Sequence, residues 1–346
     1  MSADGSTGVG VIGLGFMGRT HVGAFAAAAE AGHANRLVAV CDQDPARRAG
    51  EVQAGGNIAT AAGQERLFDP ASVAGYERPE ELLADDAVEL VSVCTPTDSH
   101  VDLAIAALEA GKHVLVEKPV ALRHDEVARL GAAARAAEER GLHCMPALCM
   151  RFWPAWSWLK RAVADGTYGA VRSAAFQRLA SAPAWNREFY QDPERTGGAL
   201  IDLHIHDADF VRHLFGDPAA VVSAGSLDHV TTLYRYPDGP EHVVAEGGWN
   251  HAPGFAFRMR YVIVFEHATA DFEIGRDPEL LLCRDGEATP VEVDAWAGYD
   301  GEVRHLLDVI AGRTAGLVAT VADAEGHARL LDAERESLRT GAAVRL

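Results

Sequence analysis

The first 150 residues alternate short apolar runs with stretches of helical spacing, which is typical of a parallel sheet joined by crossover helices. The apolar runs that predict strands are residues 9–12, 37–41, 72–76, 88–93, 113–116 and 142–147. The predicted helices are residues 20–31, a short helix from 79, 99–110 and 123–140. Residues 55–70 are rich in glycine and alanine and predict a loop or a frayed helix. We therefore expect a doubly wound parallel sheet in this part of the chain.

After Arg151 the pattern changes to an alternation of apolar and polar residues, which predicts a large, mostly antiparallel open sheet. The alternating stretches are residues 171–179, 221–224, 230–236, 243–249 and 257–265. One helix is predicted over 198–215, and two more near 301–311 and 321–338. A chain of 346 residues is too long for one hydrophobic core. We therefore predict an α/β domain over 1–147 and an α+β domain over 148–346.

Composition narrows the classes of protein to which this chain can belong. Apolar residues make up 48% and charged residues 23%, as in ordinary globular proteins. A formal net charge of −19 argues against nucleic acid and anionic membrane as partners, because both require basic surface. No stretch reaches the roughly 18 apolar residues of a membrane span, and no secretory signal is visible. Five scattered cysteines without a Cys-x-x-Cys pair fit a reduced compartment, so we expect a cytoplasmic protein without a metal site.

A glycine-rich turn follows the first predicted strand. Gly13-Leu14-Gly15-Phe16-Met17-Gly18 has the spacing G-x-G-x-x-G and leads directly into a helix. In a Rossmann domain the first glycine permits the turn, the second lets a pyrophosphate approach the backbone, and the third lets the helix pack closely. The first turn of the helix then offers N–H groups and the positive end of its dipole to the phosphates. We predict a dinucleotide site at residues 13–18.

Asp42, at the end of the second predicted strand, indicates which dinucleotide binds. A carboxylate there accepts hydrogen bonds from the adenosine ribose and repels a 2′-phosphate, so NAD is favoured over NADP. Arg47 and Arg48 lie nearby and leave NADP as the alternative. The remaining residues assigned to the cofactor site follow the fourth and fifth strands: Thr95, Pro96, His100, Glu117 and Lys118. For Thr95 and Pro96 a turn followed by a helix N-cap is the plain structural alternative.

Three segments together resemble the glucose–fructose oxidoreductase / inositol dehydrogenase / MocA family. They are the glycine turn, Ala110–Pro119 with its Glu-Lys-Pro, and Gly197–Asp209 with its Asp-x-x-x-His. Residues 166–169 and 299–302 extend the match to nearly the whole chain. The resemblance implies a Rossmann domain and an α+β domain whose open sheet often forms the subunit contact, and hence a homodimer or homotetramer. It also implies NAD-linked oxidation or reduction of a sugar or cyclic polyol.

The resemblance makes Lys118 and His206 the catalytic pair, with Asp202 beside them. A neutral imidazole can take the proton of a secondary alcohol near neutral pH, and a lysine can hold the oxygen as negative charge develops. Asp202 and His206 are four residues apart and therefore share one face of the predicted helix. A polar stripe of this kind is also typical of a solvated helix face. We expect the ammonium of Lys118 and the imidazole of His206 to converge at the nicotinamide.

Substrate contacts are expected from residues whose position matches pocket residues of sugar- and inositol-oxidising relatives. Besides Lys118, Asp202 and His206, these candidates are Trp185, Arg187 and Tyr299. Arg151 is a further candidate because it lies at the junction of the two predicted domains, where it could approach cofactor or substrate. Tryptophan can stack on the apolar face of a sugar, although core packing is the alternative for Trp185. Two other functions stay open. One is redox-assisted glycoside cleavage with a tightly bound NAD and no net NADH, and the other is a regulator that binds NAD without turnover.

Overall fold

The computed structural model describes residues 5–51, 66–183, 190 and 192–346. The chain forms two compact units, and each is built from two segments. The first unit comprises Met1–Cys149 and Ala297–Glu325, and the second comprises Met150–Trp296 and Gly326–Leu346. Among the described residues no helix is both long enough and apolar enough to cross a membrane.

The helices and strands alternate in the first half of the chain, and strands dominate the second half. The helices are α1 (Phe16–Glu30), α2 (Pro45–Arg48), α3 (Pro79–Leu83), α4 (His100–Glu109), α5 (His124–Glu138), α6 (Pro154–Ala164), α7 (Pro193–Thr196), α8 (Gly198–Asp202), α9 (Ile205–Phe215), α10 (Gly298–Ile310) and α11 (Val321–Thr340). The strands are β1 (Thr7–Ile12), β2 (Asn35–Cys41), β3 (Ala74–Tyr76), β4 (Leu90–Val93), β5 (His113–Val116), β6 (Cys144–Pro146), β7 (Val171–Ser181), β8 (Ala220–Ser226), β9 (His229–Arg235), β10 (His242–His251), β11 (Arg258–Phe265), β12 (Thr269–Glu273), β13 (Leu280–Arg284), β14 (Glu287–Pro290) and β15 (Val344–Arg345). Short 3₁₀ helices cover Thr97–Ser99 and Cys149–Phe152.

The first unit contains a six-stranded parallel sheet in the order β3-β2-β1-β4-β5-β6. The central strands are mostly apolar and mostly buried because helices cover both faces of such a sheet, as Val91 and Val114 illustrate. The strand order reverses between β1 and β4, and ligands of doubly wound sheets bind at the carboxyl ends of the strands at this point. The predicted Rossmann sheet is confirmed.

The helix α10 belongs to this first unit, although it follows strands β7 to β14 of the second sheet in the sequence. It packs against α1 and buries Val303, Leu306 and Leu307. The expected boundary after residue 147 lies close to the first crossing at Cys149, but a single boundary does not describe the chain. Helical periodicity predicts the apolar face of α10 and does not reveal which unit that face covers.

The second unit contains a nine-stranded sheet in the order β14-β13-β12-β11-β7-β10-β9-β8-β15. Its neighbouring strands are antiparallel except for β7 and β10, which are parallel. Helices α8 and α9 contact β10. The prediction of an α+β domain on a mostly antiparallel sheet is confirmed, while α6 and the strands β12 to β14 were not predicted.

The single helix predicted over 198–215 is wrong, because the chain forms α8 and α9 with a break at Leu203 and His204. At the break, the backbone N–H of His204 donates to the carbonyl of Ala199, five residues back, at 2.8 Å. The side chain of His204 is buried and its Nε2 lies 2.9 Å from Oε2 of Glu334 on α11. The break places Asp202 at the end of α8 and His206 in the first turn of α9, so the spacing of one continuous helix does not relate them.

Candidate functional site

The three glycines of the turn after β1 have different surroundings. Gly13 has φ +87°, and a Cβ on it would come 2.8 Å from the carbonyl oxygen of Cys94 at the end of β4. A Cβ on Gly18 would overlap the carbonyl oxygen of Gly13. A Cβ on Gly15, by contrast, would meet no atom of the described residues within 4 Å. The outer glycines therefore serve the close packing of turn and helix, and the space beside Gly15 is open to a ligand.

The N-terminus of α1 faces the same turn. Gly15 is its N-cap residue and supplies no side-chain cap, and no acidic residue lies in the first turn. Gly15, Phe16 and Met17 are half-exposed. The first N–H groups of a helix have no partner within the helix and, together with the helix dipole, favour an anion. The predicted residues 13–18 thus form a turn suited to a phosphate.

Asp42 follows β2 and holds the turn from the other side. Its Oδ2 accepts the backbone N–H of Leu14 at 2.7 Å, and its Oδ1 accepts that of Asp44 at 2.9 Å. Each carboxylate oxygen keeps further acceptor capacity for a ribose hydroxyl. Arg47 lies 3.7 Å from Oδ2, whereas Arg48 donates to the carbonyl of Asp42 at 2.7 Å. Asp42 is therefore placed to fix the turn and to accept hydrogen bonds from a ligand.

The segment after β4 lies against the glycine turn, since Cys94 is the residue that Gly13 approaches. Thr95 is half-buried, and its Oγ1 accepts a hydrogen bond from the hydroxyl of Ser99 at 2.7 Å. Pro96 is exposed. His100 is buried, with one ring nitrogen 2.7 Å from the carbonyl oxygen of Thr95 and the other 2.9 Å from that of Pro119. His100 therefore joins this segment to the one after β5, and both ring nitrogens are engaged inside the protein.

Glu117 and Lys118 follow β5 at the same edge of the sheet. Glu117 is buried, and its Oε2 accepts the backbone N–H of Lys118 at 2.9 Å. Its Oε1 lies 2.8 Å from Nε2 of His21 on α1. Burial opposes the ionisation of Glu117, but the hydrogen bond from His21 and the nearby charge of Lys118 hold the pKa of this carboxyl below its usual value. Glu117 thus fixes the backbone that carries Lys118.

Sequence reasoning did not single out His21 or Glu302, which complete the surroundings of Glu117. His21 is fully buried on α1, and Glu302 is fully buried on α10. Nε2 of His21 lies 3.6 Å from Oε1 of Glu302. Both residues lie at positions where their helices otherwise carry mostly apolar side chains. Charged side chains are buried almost only with partners, so these positions could have indicated a buried polar cluster.

In the second unit, Gly197 and Gly198 start α8 with φ values of +71° and +72°. Both values lie in the left-handed region, and a Cβ on Gly198 would come 2.7 Å from the carbonyl oxygen of Leu227. Next to this start, Ala199 and Leu203 pack against Trp249 of β10. The pair of glycines and the apolar cluster therefore fix the helix that ends at Asp202.

Asp202 is the last residue of α8, and His206 lies in the first turn of α9. Both side chains are half-buried, whereas those of His204, Asp207 and Asp209 are buried. Asp207 is buried and forms a two-point ion pair with Arg178 of β7, at 2.9 and 3.0 Å. Among the polar residues at the start of α9, His206 is thus the one whose side chain reaches the surface of its unit.

Arg151 and Asp209 form a second buried ion pair in this unit. Nε of Arg151 lies 2.9 Å from Oδ2 of Asp209, and Nη2 lies 2.7 Å from Oδ1. Burial opposes ionisation of Asp209, but Arg151 holds the pKa of this carboxyl below its usual value. The guanidinium is engaged in the interior, so we do not carry Arg151 forward as a substrate residue. Asp209 likewise belongs to this pair and not to a solvated stripe.

Of the other substrate candidates, the structure describes one and does not describe the other two. Tyr299 is half-buried in the first turn of α10, which places it in the same unit as Lys118. Trp185 and Arg187 lie outside the described residues. Asp202, His206 and Lys118 remain the chemically active candidates within their own units.

The geometry of the first unit fits NAD. The open space at Gly15 suits a pyrophosphate, the helix N-terminus suits its charge, and Asp42 suits a ribose with a free 2′-hydroxyl. Lys118 follows β5, which β4 separates from β1, at the same edge of the sheet. The chain thus combines a dinucleotide-binding Rossmann unit with an α+β unit, as two-domain dehydrogenases do.

Comparison with known proteins agrees with this class. A sequence model described as "Oxidoreductase family, NAD-binding Rossmann fold" matches residues 7–146, and one described as "GFO/IDH/MocA C-terminal domain" matches residues 156–271. Inositol 2-dehydrogenase of Rhizobium meliloti (strain 1021) is 30% identical over 251 residues, which cover 68% of this chain and 67% of that protein. The chain belongs to the GFO/IDH/MocA family of oxidoreductases and carries its NAD-binding Rossmann fold.

The chain is also similar to a second inositol dehydrogenase over about half of that protein's length, and to a solved structure over nearly its whole length. The scyllo-inositol 2-dehydrogenase (NAD(+)) of Bacillus subtilis (strain 168) is 33% identical over 177 residues, and the match spans 47% of this chain and about half, 49%, of that relative. The structure of a levoglucosan dehydrogenase in complex with NADH and levoglucosan superposes with a TM-score of 0.79 at 21% identity, covering 98% of this chain and 99% of that one. The latter similarity concerns the fold.

Proposed function

We propose that the protein is an NAD-dependent dehydrogenase that oxidises a secondary hydroxyl of a sugar, a glycoside or an inositol-like polyol, or reduces the corresponding ketone. The observation that carries this proposal is the turn at Gly15, which combines open space, a helix N-terminus without a side-chain cap and the carboxylate of Asp42. Relatives named as inositol dehydrogenases support the substrate class. NAD supplies the hydride acceptor when it is bound.

In this proposal Lys118 binds the reacting oxygen of the substrate. Its ammonium stabilises the negative charge that develops as the hydroxyl loses its proton. Glu117 holds the backbone N–H of Lys118 at 2.9 Å and so limits the positions from which the side chain starts. Such preorganisation matters because charge stabilisation depends on donors that need not reorient during the reaction.

His206 is the proposed base that accepts the hydroxyl proton. Neutral imidazole is suited to this task near neutral pH. The buried pair of Asp207 with Arg178 anchors the first turn of α9, which carries His206. Asp202, at the end of α8, is proposed to bind a substrate hydroxyl or to orient the imidazole. Tyr299, Trp185 and Arg187 are proposed as further substrate contacts.

A spectrophotometric screen tests the function. Purified protein is incubated with NAD or NADP and a panel of inositols, aldoses and glycosides, and reduced cofactor is followed by its absorbance while the products are analysed. We expect NADH to form with at least one polyol or sugar, and to form faster than NADPH. Glycoside cleavage without net NADH would instead support redox-assisted cleavage, and binding of NAD without any product would support a regulator.

We also propose a cytoplasmic location and a homodimer or homotetramer. None of the five cysteines forms a disulfide and four of them are buried, which suits a reducing compartment. The open nine-stranded sheet is the surface that the family resemblance associates with subunit contact. Light scattering coupled to size exclusion tests the oligomer, and a monomeric mass at working concentration would contradict it.

A further inference from the structure

Three titratable side chains meet inside the first unit, below the segment that carries Lys118. His21 comes from α1, Glu117 from the end of β5 and Glu302 from α10, and all three are buried. Nε2 of His21 lies 2.8 Å from Oε1 of Glu117 and 3.6 Å from Oε1 of Glu302. The other ring nitrogen, Nδ1, lies 2.7 Å from the hydroxyl of Ser92 on β4. We call His21, Glu117 and Glu302 the buried triad.

Two carboxylates cannot both stay ionised in this position without counter-charge. The exposed fraction is 0% for Glu302 and 4% for Glu117, so water does not solvate either charge. Glu117 accepts the N–H of Lys118 and contacts His21, whereas neither carboxyl oxygen of Glu302 has a hydrogen-bond partner among the described residues. These partners stabilise the ionised carboxylate of Glu117. Glu302 has no such partner in the described part of the chain, so its carboxyl group must be the neutral one.

The charges that face the triad agree with this division. Burial, together with the negative charges of Glu117 and Asp300, raises the pKa of Glu302 well above its usual value, while His21 opposes the shift. Burial favours neutral His21, but Cys94 and Glu117 raise its pKa well above the usual value. The charges of His21, Lys118 and His100 all lower the pKa of Glu117. A protonated Glu302, an ionised Glu117 and a protonated His21 make the triad neutral overall.

The triad reaches Lys118 through Glu117. One carboxylate oxygen of Glu117 contacts His21, and the other accepts the backbone N–H of Lys118. On the far side of Lys118, the carbonyl of Pro119 is held by His100 at 2.9 Å. The backbone of residues 118 and 119 is thus fixed at two points, and a rotation of the Glu117 side chain removes one of them.

We propose that His21 and Glu302 are positioning residues for Lys118, and that they act by holding Glu117 in one rotamer within a neutral, proton-bearing triad. This inference rests on the proposed function for its effect on turnover, but its structural part stands independently. The ligand atoms of the triad all lie within 4.8 Å of one another, as a bound cation would also require. Nε2 of His21 lies 2.8 Å from Oε1 of Glu117, which is the separation of an imidazolium–carboxylate ion pair, so we assign protons to the triad.

Infrared difference spectroscopy on the full-length protein tests the protonation. We expect the C=O stretching band of a protonated carboxylic acid at neutral pH, and we expect Glu302→Gln to remove it. Glu30→Gln, an exposed position on α1, is the matched control and retains the band. Absence of the band from the wild-type protein, or a stoichiometric metal ion in protein exposed to Zn²⁺ or Mn²⁺, would overturn the proposal.

Selective ¹⁵N-lysine labelling tests the positioning without reference to activity. The chain has only three lysines, Lys112, Lys118 and Lys160, so three backbone amide signals result and Lys118→Arg assigns one of them. We expect His21→Leu and Glu302→Ala to shift the Lys118 amide, and His21→Gln and Glu302→Gln to restore it. The amides of Lys112 and Lys160 serve as internal controls for the fold. A Lys118 amide that moves no more than these two controls would refute the positioning role.

The same variants connect the triad to turnover once a substrate is known. We expect His21→Leu to lower kcat about tenfold or more and to leave KM for NAD within about threefold. The reason is that a displaced Lys118 slows the chemical step without weakening cofactor binding. His21→Gln, which keeps an N–H toward Glu117, restores kcat. Unchanged kcat in His21→Leu alongside a shifted amide would contradict the link between triad and catalysis. If no substrate turns over in wild-type protein, the proposed function fails and the amide and infrared results still decide the triad.

Discussion

Among single residues, Gly15 and Gly18 lack side chains for different physical reasons. Within the part of the chain that the structure describes, Gly15 faces open space, with φ −66° and an extended backbone that any residue can adopt. Gly18 lies against the carbonyl oxygen of Gly13 and has no room for a Cβ. One glycine is thus explained by a ligand, and the other by the fold.

Substitution by alanine separates these two reasons. We expect Gly15→Ala to change the free energy of unfolding by less than about 1 kcal/mol while weakening NAD binding about tenfold or more, because its methyl group occupies the pyrophosphate space. We expect Gly18→Ala to destabilise the protein by about 2–3 kcal/mol through overpacking. Urea denaturation and titration calorimetry measure the two effects. Equal NAD affinity in Gly15→Ala and wild type would contradict the assigned site.

Asp42 controls the choice between NAD and NADP in this account. We expect Asp42→Asn to raise KM for NAD and to reduce the preference for NAD over NADP about tenfold, since the repulsive charge is removed. Asp44→Asn is the matched control, because Asp44 caps α2 through the N–H of Ala46 at 2.9 Å and asparagine caps equally well. Steady-state kinetics with both cofactors decide the outcome. A change of preference in the control alone would count against Asp42.

At the scale of elements, α9 is tied to its unit by two buried acid–arginine pairs. Asp207 pairs with Arg178 of β7, and Asp209 pairs with Arg151, which precedes α6. A buried ion pair contributes little compared with a well-packed apolar pair, but removing one partner leaves an unpaired buried charge. The position of His206 therefore depends on both pairs remaining intact.

Breaking one pair measures this dependence. We expect Asp209→Asn to lower the free energy of unfolding by about 3–5 kcal/mol, and the double variant Arg151→Met/Asp209→Leu to recover much of the loss. The exposed pair of Asp102 with Arg129 is the control, because Asp102→Asn is expected to cost less than about 1 kcal/mol. Urea denaturation compares the four proteins. Wild-type stability in Asp209→Asn would show that the pair does not anchor α9.

The elements also show what the sequence could and could not predict. The turn at 13–18 and the strand β5, His113–Val116, followed from local pattern alone, because glycine spacing and apolar runs report local geometry. The break at Leu203 and His204 was missed, since apolar spacing continues across it, whereas His204 at the break contacts Glu334, 130 residues away in sequence. His21 and Glu302 were missed for the same reason. Pairing of buried polar groups is a long-range property that local spacing does not encode.

At the scale of the whole molecule, buried histidines make stability depend on pH. Burial lowers the pKa of His327 to about 4, although Asp209 nearby opposes the shift. Between pH 6.5 and about 4 the unfolded chain binds a proton at this residue and the folded protein does not. The contribution of His327 to the free energy of unfolding is therefore fully present above pH 6.5. It falls by up to about 3 kcal/mol as the pH drops toward 4.

A pH series of unfolding measurements tests this contribution. We expect stability to fall between pH 6.5 and 4.5, and His327→Asn to make the slope shallower by about 1.4 kcal/mol per pH unit, the value for one proton. His267→Asn, at an exposed position, leaves the slope unchanged. Because the pKa of His21 is raised, that residue acts in the opposite direction, so the comparison of variants is more informative than the wild-type slope. Parallel slopes in His327→Asn and wild type would contradict the prediction.

The central claim is that Lys118 and His206 carry out the oxidation of a substrate hydroxyl. Its most direct test is the steady-state rate of NADH formation, on the best substrate of the panel, for wild type, Lys118→Met, His206→Asn and the control His267→Asn. We predict that each of the first two substitutions lowers kcat/KM by about 10²- to 10⁴-fold, and that the control changes it by less than about twofold. Wild-type turnover in both Lys118→Met and His206→Asn would contradict the account.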